Sequence, residues 1–442
     1  MSFRGNDFCD RISRRTMIRA GLFGTIGLSL PNILRLQAES AERGGGERRD
    51  TAVIYVEMAG GPTQHETYDP KPKAPQEYRG PFDPIDTNVW GIQLSQLMVE
   101  QAKIMDKLAI IRSIHHDSGS HGTSSHLTQT GYYLRDRQNR DNDMPCIGSY
   151  TSKIRGANEK GMPAFVSIPN SMRFGRAAWL GKGFNPFDTA RSADDKNFRV
   201  PNLTLLKGLS QDRLSDRRAL LSGFDASRRT VDNHGVADAI DSFTRDAFEM
   251  VTGDEARKAF DINQESDATR NRYGRNSIGQ NLLLARRLVE HGVTLVTVRA
   301  STLGSWDDHN GVADRMNRKG PGYDQGVAAL VSDLHERGLD RRTIVVCMGE
   351  FGRTPRVNRN AGRDHWGRVM SVALAGGGLK TGQIVGSSDS LGAVPQDRPY
   401  RPENVLAVLY RHLGIDPSLT FNDPSGRPRY ILEERGLINE IV

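Results

Sequence analysis

Short, largely apolar runs recur along this chain, at Ala52–Met58, Leu108–Ile114, Ala164–Ile168, Val293–Val298, Thr343–Met348 and Met370–Ala375. Most are rich in β-branched residues, and all are bounded by Gly, Pro or charge. Runs of this kind, without strict alternation, predict strands buried on both faces of a parallel sheet. Between them lie helical patterns over Leu94–Lys107, Leu203–Gly223, Arg228–Val251, Ser277–His291, Asp324–Arg337 and Pro402–Leu413. Strands alternating with helices predict an α/β fold, a three-layer α/β/α sandwich. The charged stretch from about 200 to 275 has no strand pattern and reads as a helical insertion, with Leu205, Leu206, Leu209 and Leu214 as its packing stripe.

Composition adds little until the charge is located. The 442 residues are 37% hydrophobic and 26% charged, which excludes a coiled coil, a collagen-like chain or a multispanning membrane protein. The net charge of +7 is concentrated at the start: six arginines (Arg4, Arg11, Arg14, Arg15, Arg19, Arg35) against Asp7 and Asp10 give residues 1–38 a charge of +4, leaving +3. The segment Ser13-Arg14-Arg15-Thr16-Met17-Ile18-Arg19 precedes the uncharged stretch Ala20–Leu34, with small residues near Ala38 to Ala41. That order predicts a secretory signal and resembles the twin-arginine export signal, so a periplasmic or secreted protein is expected. Residues 39–50 read as a flexible leader, and 51–442 as one large domain with no transmembrane segment. The basic excess is then an export address. No basic-aromatic stripe or recognisable module points to nucleic acid. Cys146 and Cys347 are the cysteines beyond the signal; they could form one disulfide after export, although Cys347 within an apolar run reads more simply as packing.

In doubly wound sheets, functional groups gather at the carboxyl ends of strands. Following the first apolar run, Gly60–Pro70 offers His65, Glu66 and Asp69 within five positions. After the second, residues 115–126 hold four of the eleven histidines, His115, His116, His121 and His126, among hydroxyls and Asp117. Imidazole ligates zinc and similar metals and also serves as a general base. Trp306-Asp307-Asp308-His309 places a carboxylate and an imidazole two apart after a further run. Glu350 and Arg353 lie in Gly349–Pro355, and Arg363, Asp364 and His365 in Gly362–Gly367. Each pair alone fits a helix cap or a surface ion pair equally well. Their convergence on the ends of one sheet is what favours a site.

The order of these segments resembles the alkaline phosphatase and sulfatase superfamily, and within it an exported bacterial family of unknown function. The resemblance runs over about residues 51–435, and it implies an alkaline-phosphatase-like sandwich with metal positions at the strand ends. By position, Glu350 stands where the superfamily has a strand-end Asp-His-Gly, without the histidine. Asp307, His309 and His365 resemble the Asp and His ligands of the other metal position, and His65 or Asp69 could replace the absent first-strand aspartate. Counting back from Thr130-Gly131, a pair that ends a helix in sulfatase-like members, lands on His121 at the nucleophile position. The sulfatase Cys-x-Pro/Ala-x-Arg motif is missing. The resemblance implies a metal-dependent hydrolase of phosphate or sulfate esters, with zinc, calcium or magnesium as the divalent ion and metal-activated water or His121 as nucleophile. Arg353 and Arg363 would neutralise the ester, and the partner would be an anionic ester or a sulfated or phosphorylated glycan. The alternative is a non-catalytic member that binds an anionic glycan or a cell-envelope partner.

Overall fold

The computed structural model describes residues 50–200, 250, 253–301 and 304–442. The expected signal and leader, and most of the expected insertion, lie outside them.

The apolar runs assemble into one eight-stranded sheet. Its strands are β1 (Ala52–Glu57), β2 (Leu108–Ile114), β3 (Phe165–Ile168), β4 (Phe187–Asp188), β5 (Leu295–Arg299), β6 (Thr343–Met348), β7 (Met370–Gly376) and β8 (Gln383–Val385). They lie in the order β8-β2-β7-β6-β1-β5-β3-β4. β1 is central and parallel to both neighbours, with Ile54 opposite Val296 and Val345. Every residue of β1 and β6 is buried, as strands covered on both faces require.

The helices are α1 (His121–Thr130), α2 (Ile147–Ile154), α3 (Asp254–Phe260), α4 (Asp267–Tyr273), α5 (Ser277–Glu290), α6 (Val312–Glu336) and α7 (Pro402–His412). Alternate strand residues enter two separate cores. Ile54, Val56, Val296 and Val345 pack with Leu282 of α5 and Leu330 of α6. Val53, Tyr55, Leu295 and Val346 pack with Ile147 of α2 and Leu406 and Leu409 of α7. Each such aliphatic side chain contributes about 1.5–3 kcal/mol on burial. Helix, sheet and helix therefore form three layers, as the sequence pattern predicts. Cys347 belongs to the first core and Cys146 to the second, and both are free, buried thiols.

Three local expectations change. β7 runs antiparallel to β2 and β6. The connection Gly349–Val369 holds no helix, so the chain cannot cross to the other end of the sheet and re-enters in the opposite direction. Leu94–Lys107 is not one helix. It divides into the strand Gln93–Ser95, a single turn Val99–Ala102 and a 3-10 turn Met105–Lys107. The Asp324 carboxylate takes the amides of Glu100 and Gln101 at 2.7 and 2.9 Å and fixes the short turn. α6 starts a dozen residues earlier than its predicted Asp324, at Val312, and runs through Pro321. Of the insertion, α3 and α4 are described. Among the described residues no helix is long and apolar enough to cross a membrane.

Candidate metal centre

The parallel strands around β1 end on the same edge of the sheet, and their following loops bring distant residues together. Gly60, after β1, adopts φ +108°, and a Cβ there would lie 2.7 Å from the Asp307 nitrogen. Its backbone N–H donates to both carboxylate oxygens of Glu350, each at 2.9 Å. One glycine thus fixes the loops after β5 and β6 against each other.

Around Asp307 stand three imidazoles. His121 Nε2 lies 3.3 Å from Asp307 Oδ2, while His309 Nε2 and His365 Nε2 lie 3.0 and 3.1 Å from Oδ1. His309 Nε2 and His365 Nε2 are also 3.0 Å apart. The second nitrogen of each ring is anchored elsewhere. His121 Nδ1 meets Glu350 Oε1 at 2.6 Å, His309 Nδ1 meets Asp364 Oδ1 at 2.7 Å, and His365 Nδ1 meets the Gly119 carbonyl at 2.9 Å. A carbonyl or ionised carboxylate only accepts, so each Nδ1 carries the hydrogen. In the neutral rings every Nε2 then presents a lone pair toward Asp307.

Lone pairs and a carboxylate crowded around one point repel unless a cation or proton lies among them. His121, Asp307 and His365 offer ligand atoms all within 4.8 Å of one another. Tetrahedral zinc, with bonds of about 2.0–2.1 Å, holds its ligand atoms about 3.3 Å apart. The 3.0–3.3 Å spacings fit such an ion, and the anchored Nδ1 atoms match the way ligating histidines are oriented by carboxylates and carbonyls.

The electrostatics favour positive charge among these groups, a proton on His121 or a bound cation. Burial opposes ionisation of Asp307, but the Arg353 hydrogen bond and charge outweigh it and hold the carboxyl well below the usual range. The Glu350 hydrogen bond raises the His121 pKa, whereas burial and then the charge on His121 lower that of His365. The Phe351 ring packs on His121 and His365, with centroids 5.0 and 4.6 Å away.

The remaining candidates fall elsewhere. Arg353 is fully buried, and its guanidinium reaches the carbonyls of Gly60, Gly61, Trp306 and Arg363 as well as Asp307. Arg363 is equally buried, bound to the Glu66 carboxylate at 2.7 Å and to the carbonyls of Tyr78, Thr354 and Pro355. Neither guanidinium faces solvent. Glu350 stands one step behind His121, its oxygens occupied by Gly60 and the ring. His65 and Asp69 are not brought to Asp307: His65 Nε2 donates to the Leu391 carbonyl at 2.9 Å, and Asp69 accepts from Ser388 at 2.5 Å and pairs with Lys71 at 3.0 Å.

His116 and His126 of the same run are internal fasteners. His116 Nε2 donates to the Glu350 carbonyl at 2.7 Å, and burial pushes its pKa down to about 4. Sequence reading gave no role to Asp308, whose carboxylate is bound by the buried Lys319 at 2.7 and 2.9 Å, whereas Asp364 was already named beside His365. Lys319 secures the Trp306–His309 loop from beneath. The adjacency of Asp308 to Asp307 was the available signal, but nothing local pointed to Lys319.

A three-layer α/β/α sandwich with a histidine–carboxylate centre at its strand ends is the class that fold and site define. The chain belongs to the family described as Protein of unknown function (DUF1501), whose model matches residues 50–442. No curated protein matches it. Among solved structures it is similar to Ps i-CgsB in complex with k-i-k-neocarrahexaose, at 11% identity and TM-score 0.37, covering 83% of this chain and 72% of that one. It is similar also to the PsFucS1 sulfatase from Pseudoalteromonas sp., at 12% identity and TM-score 0.37, covering 87% and 70%. Identities this low say nothing about substrate, so the chemistry has to come from the side chains.

Proposed function

We propose that this chain is an exported, metal-dependent hydrolase of phosphate or sulfate esters with an alkaline-phosphatase-like fold. One observation carries the reading: the Nε2 atoms of His121, His309 and His365 converge on Asp307 while every Nδ1 is anchored behind them. Asp307, His121 and His365 would hold a divalent ion, zinc fitting the nitrogen-rich set better than calcium or magnesium, with His309 completing or gating the set. When bound, such a cation supplies the charge that polarises an ester oxyanion and acidifies water.

The chain's own groups prepare that chemistry. Arg353 keeps Asp307 ionised. Glu350 holds the Nδ1 proton of His121 and so aims its Nε2. α1 begins at His121 with no side-chain cap, which leaves its first amides available to an oxyanion beside the centre. Arg363 serves the scaffold through Glu66, and His65 and Asp69 serve the loop after β1.

A second reading, binding of an anionic glycan or envelope partner without turnover, is favoured by the hydroxyls near His121. Ser124 Oγ donates to the Ser118 carbonyl at 3.2 Å, and the residue in the nucleophile position is the anchored His121. Metal analysis of the purified protein, followed by aryl sulfate and aryl phosphate hydrolysis before and after chelation, decides between them. Stoichiometric metal and chelator-sensitive turnover support hydrolysis. Metal without turnover supports binding alone, and absence of metal overturns both forms of the metal reading.

A further inference from the structure

Where the loop following α1 meets the segment after β3, an open cavity of about 870 Å³ is lined by Arg137, Gln138, Arg140 and Arg173. We propose that its three arginines form a second anion-binding subsite, which takes a further sulfate or phosphate group of a substrate carrying more than one. This rests on the reading of the centre as one that handles oxyanion esters.

The arginines are exposed, and none pairs with a carboxylate among the described residues. The reason lies in the loop itself. Asp136 accepts the Gln138 amide at 2.9 Å, and Asp143 accepts the Arg135 amide at 2.8 Å and the Asn139 side chain at 3.1 Å. Both carboxylates are bonded to the loop's own amides, and neither they nor the exposed Asp141 pair with its guanidiniums among the described residues. Guanidiniums that line a concave surface without a carboxylate partner attract anions there. Guanidinium forks suit tetrahedral oxyanions bidentately.

The cavity is also mechanically tied to the centre. A Cβ at Gly122, the residue after His121, would lie 3.1 Å from Arg173 Nη2. The absence of a side chain at 122 lets that guanidinium rest against the first turn of α1. His126, one turn further along and fully buried, holds the arginine loop. Its Nδ1 donates to the Tyr132 carbonyl at 2.6 Å, and its Nε2 accepts the amides of Asp143 and Met144 at 3.1 and 3.3 Å. Its ring also meets Phe174, the neighbour of Arg173, with centroids 5.5 Å apart. One short helix therefore carries His121 at its start and, through His126, positions both walls of the cavity. Gln138 adds a neutral amide suited to a sugar or polyol hydroxyl between the two charged groups.

Titration calorimetry on the full chain tests this with glucose 6-sulfate, sucrose octasulfate and inositol hexakisphosphate as probes. Sucrose octasulfate should bind at least about tenfold tighter than glucose 6-sulfate. R137A/R140A and R173Q should each weaken the octasulfate by about tenfold, leaving the monosulfate within about twofold. The charge-matched K160A/K196A, remote from the cavity, should leave both unchanged. Asp307→Asn dismantles the centre and should leave octasulfate binding in place, so the two readings can fail separately. The relative affinity of octasulfate and hexakisphosphate identifies the ester preferred. Equal binding of the mono- and octasulfate, wild-type octasulfate affinity in the arginine variants, or its loss in Asp307→Asn overturns the subsite.

Discussion

His65 with Asp69, and His121 with Asp307, pair the same residue types near the same edge of one sheet, yet their surroundings differ. His65 is buried, its Nε2 is spent on the Leu391 carbonyl, and its Nδ1 has no partner among the described residues. Burial, then the charge of Arg363, pushes its pKa well below normal. Asp69 is enclosed by Ser388, Lys71 and Arg112. Around Asp307, by contrast, each ring is gripped by its far nitrogen and offers the near one to a shared point. A histidine becomes a candidate ligand when something else satisfies its second nitrogen. Proximity in sequence to a strand end does not decide it.

The sharpest way to break this contrast is Asp307→Asn. Bound metal should become undetectable by mass spectrometry, and ester hydrolysis should fall on the order of a thousandfold, while Asp69→Asn leaves metal content unchanged. Next is Glu350→Gln, which keeps the shape but weakens the grip on His121 Nδ1. Metal affinity should drop about 10–100-fold, read by competition with a chromogenic chelator.

His65→Ala should leave metal stoichiometry intact and cost about 1–3 kcal/mol in denaturant unfolding, through the lost hydrogen bond and the cavity created. A loss of metal in this variant would erase the distinction between the two regions.

The smallest effect concerns a third strand-end group. Burial pushes Glu57 up to about 8, against the pull of Arg299 and with a further push from Glu350. The folded state then holds a proton that the unfolded chain releases near 4.5. Stability should fall as pH rises from about 4.5 to about 8, by at most about 1.4 kcal/mol per unit. Thermal unfolding of Glu57→Gln should show a flatter pH profile than wild type over that window.

Much of the sheet was legible in the residues. Leu108–Ile114 and Thr343–Met348 occupy the runs predicted for them, because a strand covered on both faces has to be largely apolar. α1 was legible only through the resemblance, which made Thr130-Gly131 a helix end. His-Gly-Thr-Ser-Ser-His-Leu-Thr-Gln-Thr has no apolar stripe, and nine of its ten residues are buried by polar packing. Thr130 Oγ1 bonds back to the His126 carbonyl at 2.7 Å, a local solution that hydropathy cannot register. Lys319-Gly320-Pro321-Gly322 looks like a helix stop, and only the packing of α6 on the sheet overrides it. At the centre, the segments could be named from sequence. The split between aimed and buried histidines could not, since Gly119, Asp364 and Glu350 act across long separations.

The contact of Gly60 with two other loops has a kinetic side. Its amide, the Asp307 backbone and the Glu350 carboxylate meet only after strands far apart in the chain have paired, so no partial fold can present the centre. An ion that recognises the assembled set stabilises the native state alone, by mass action. It acts as a late seal on a completed sheet and cannot nucleate one.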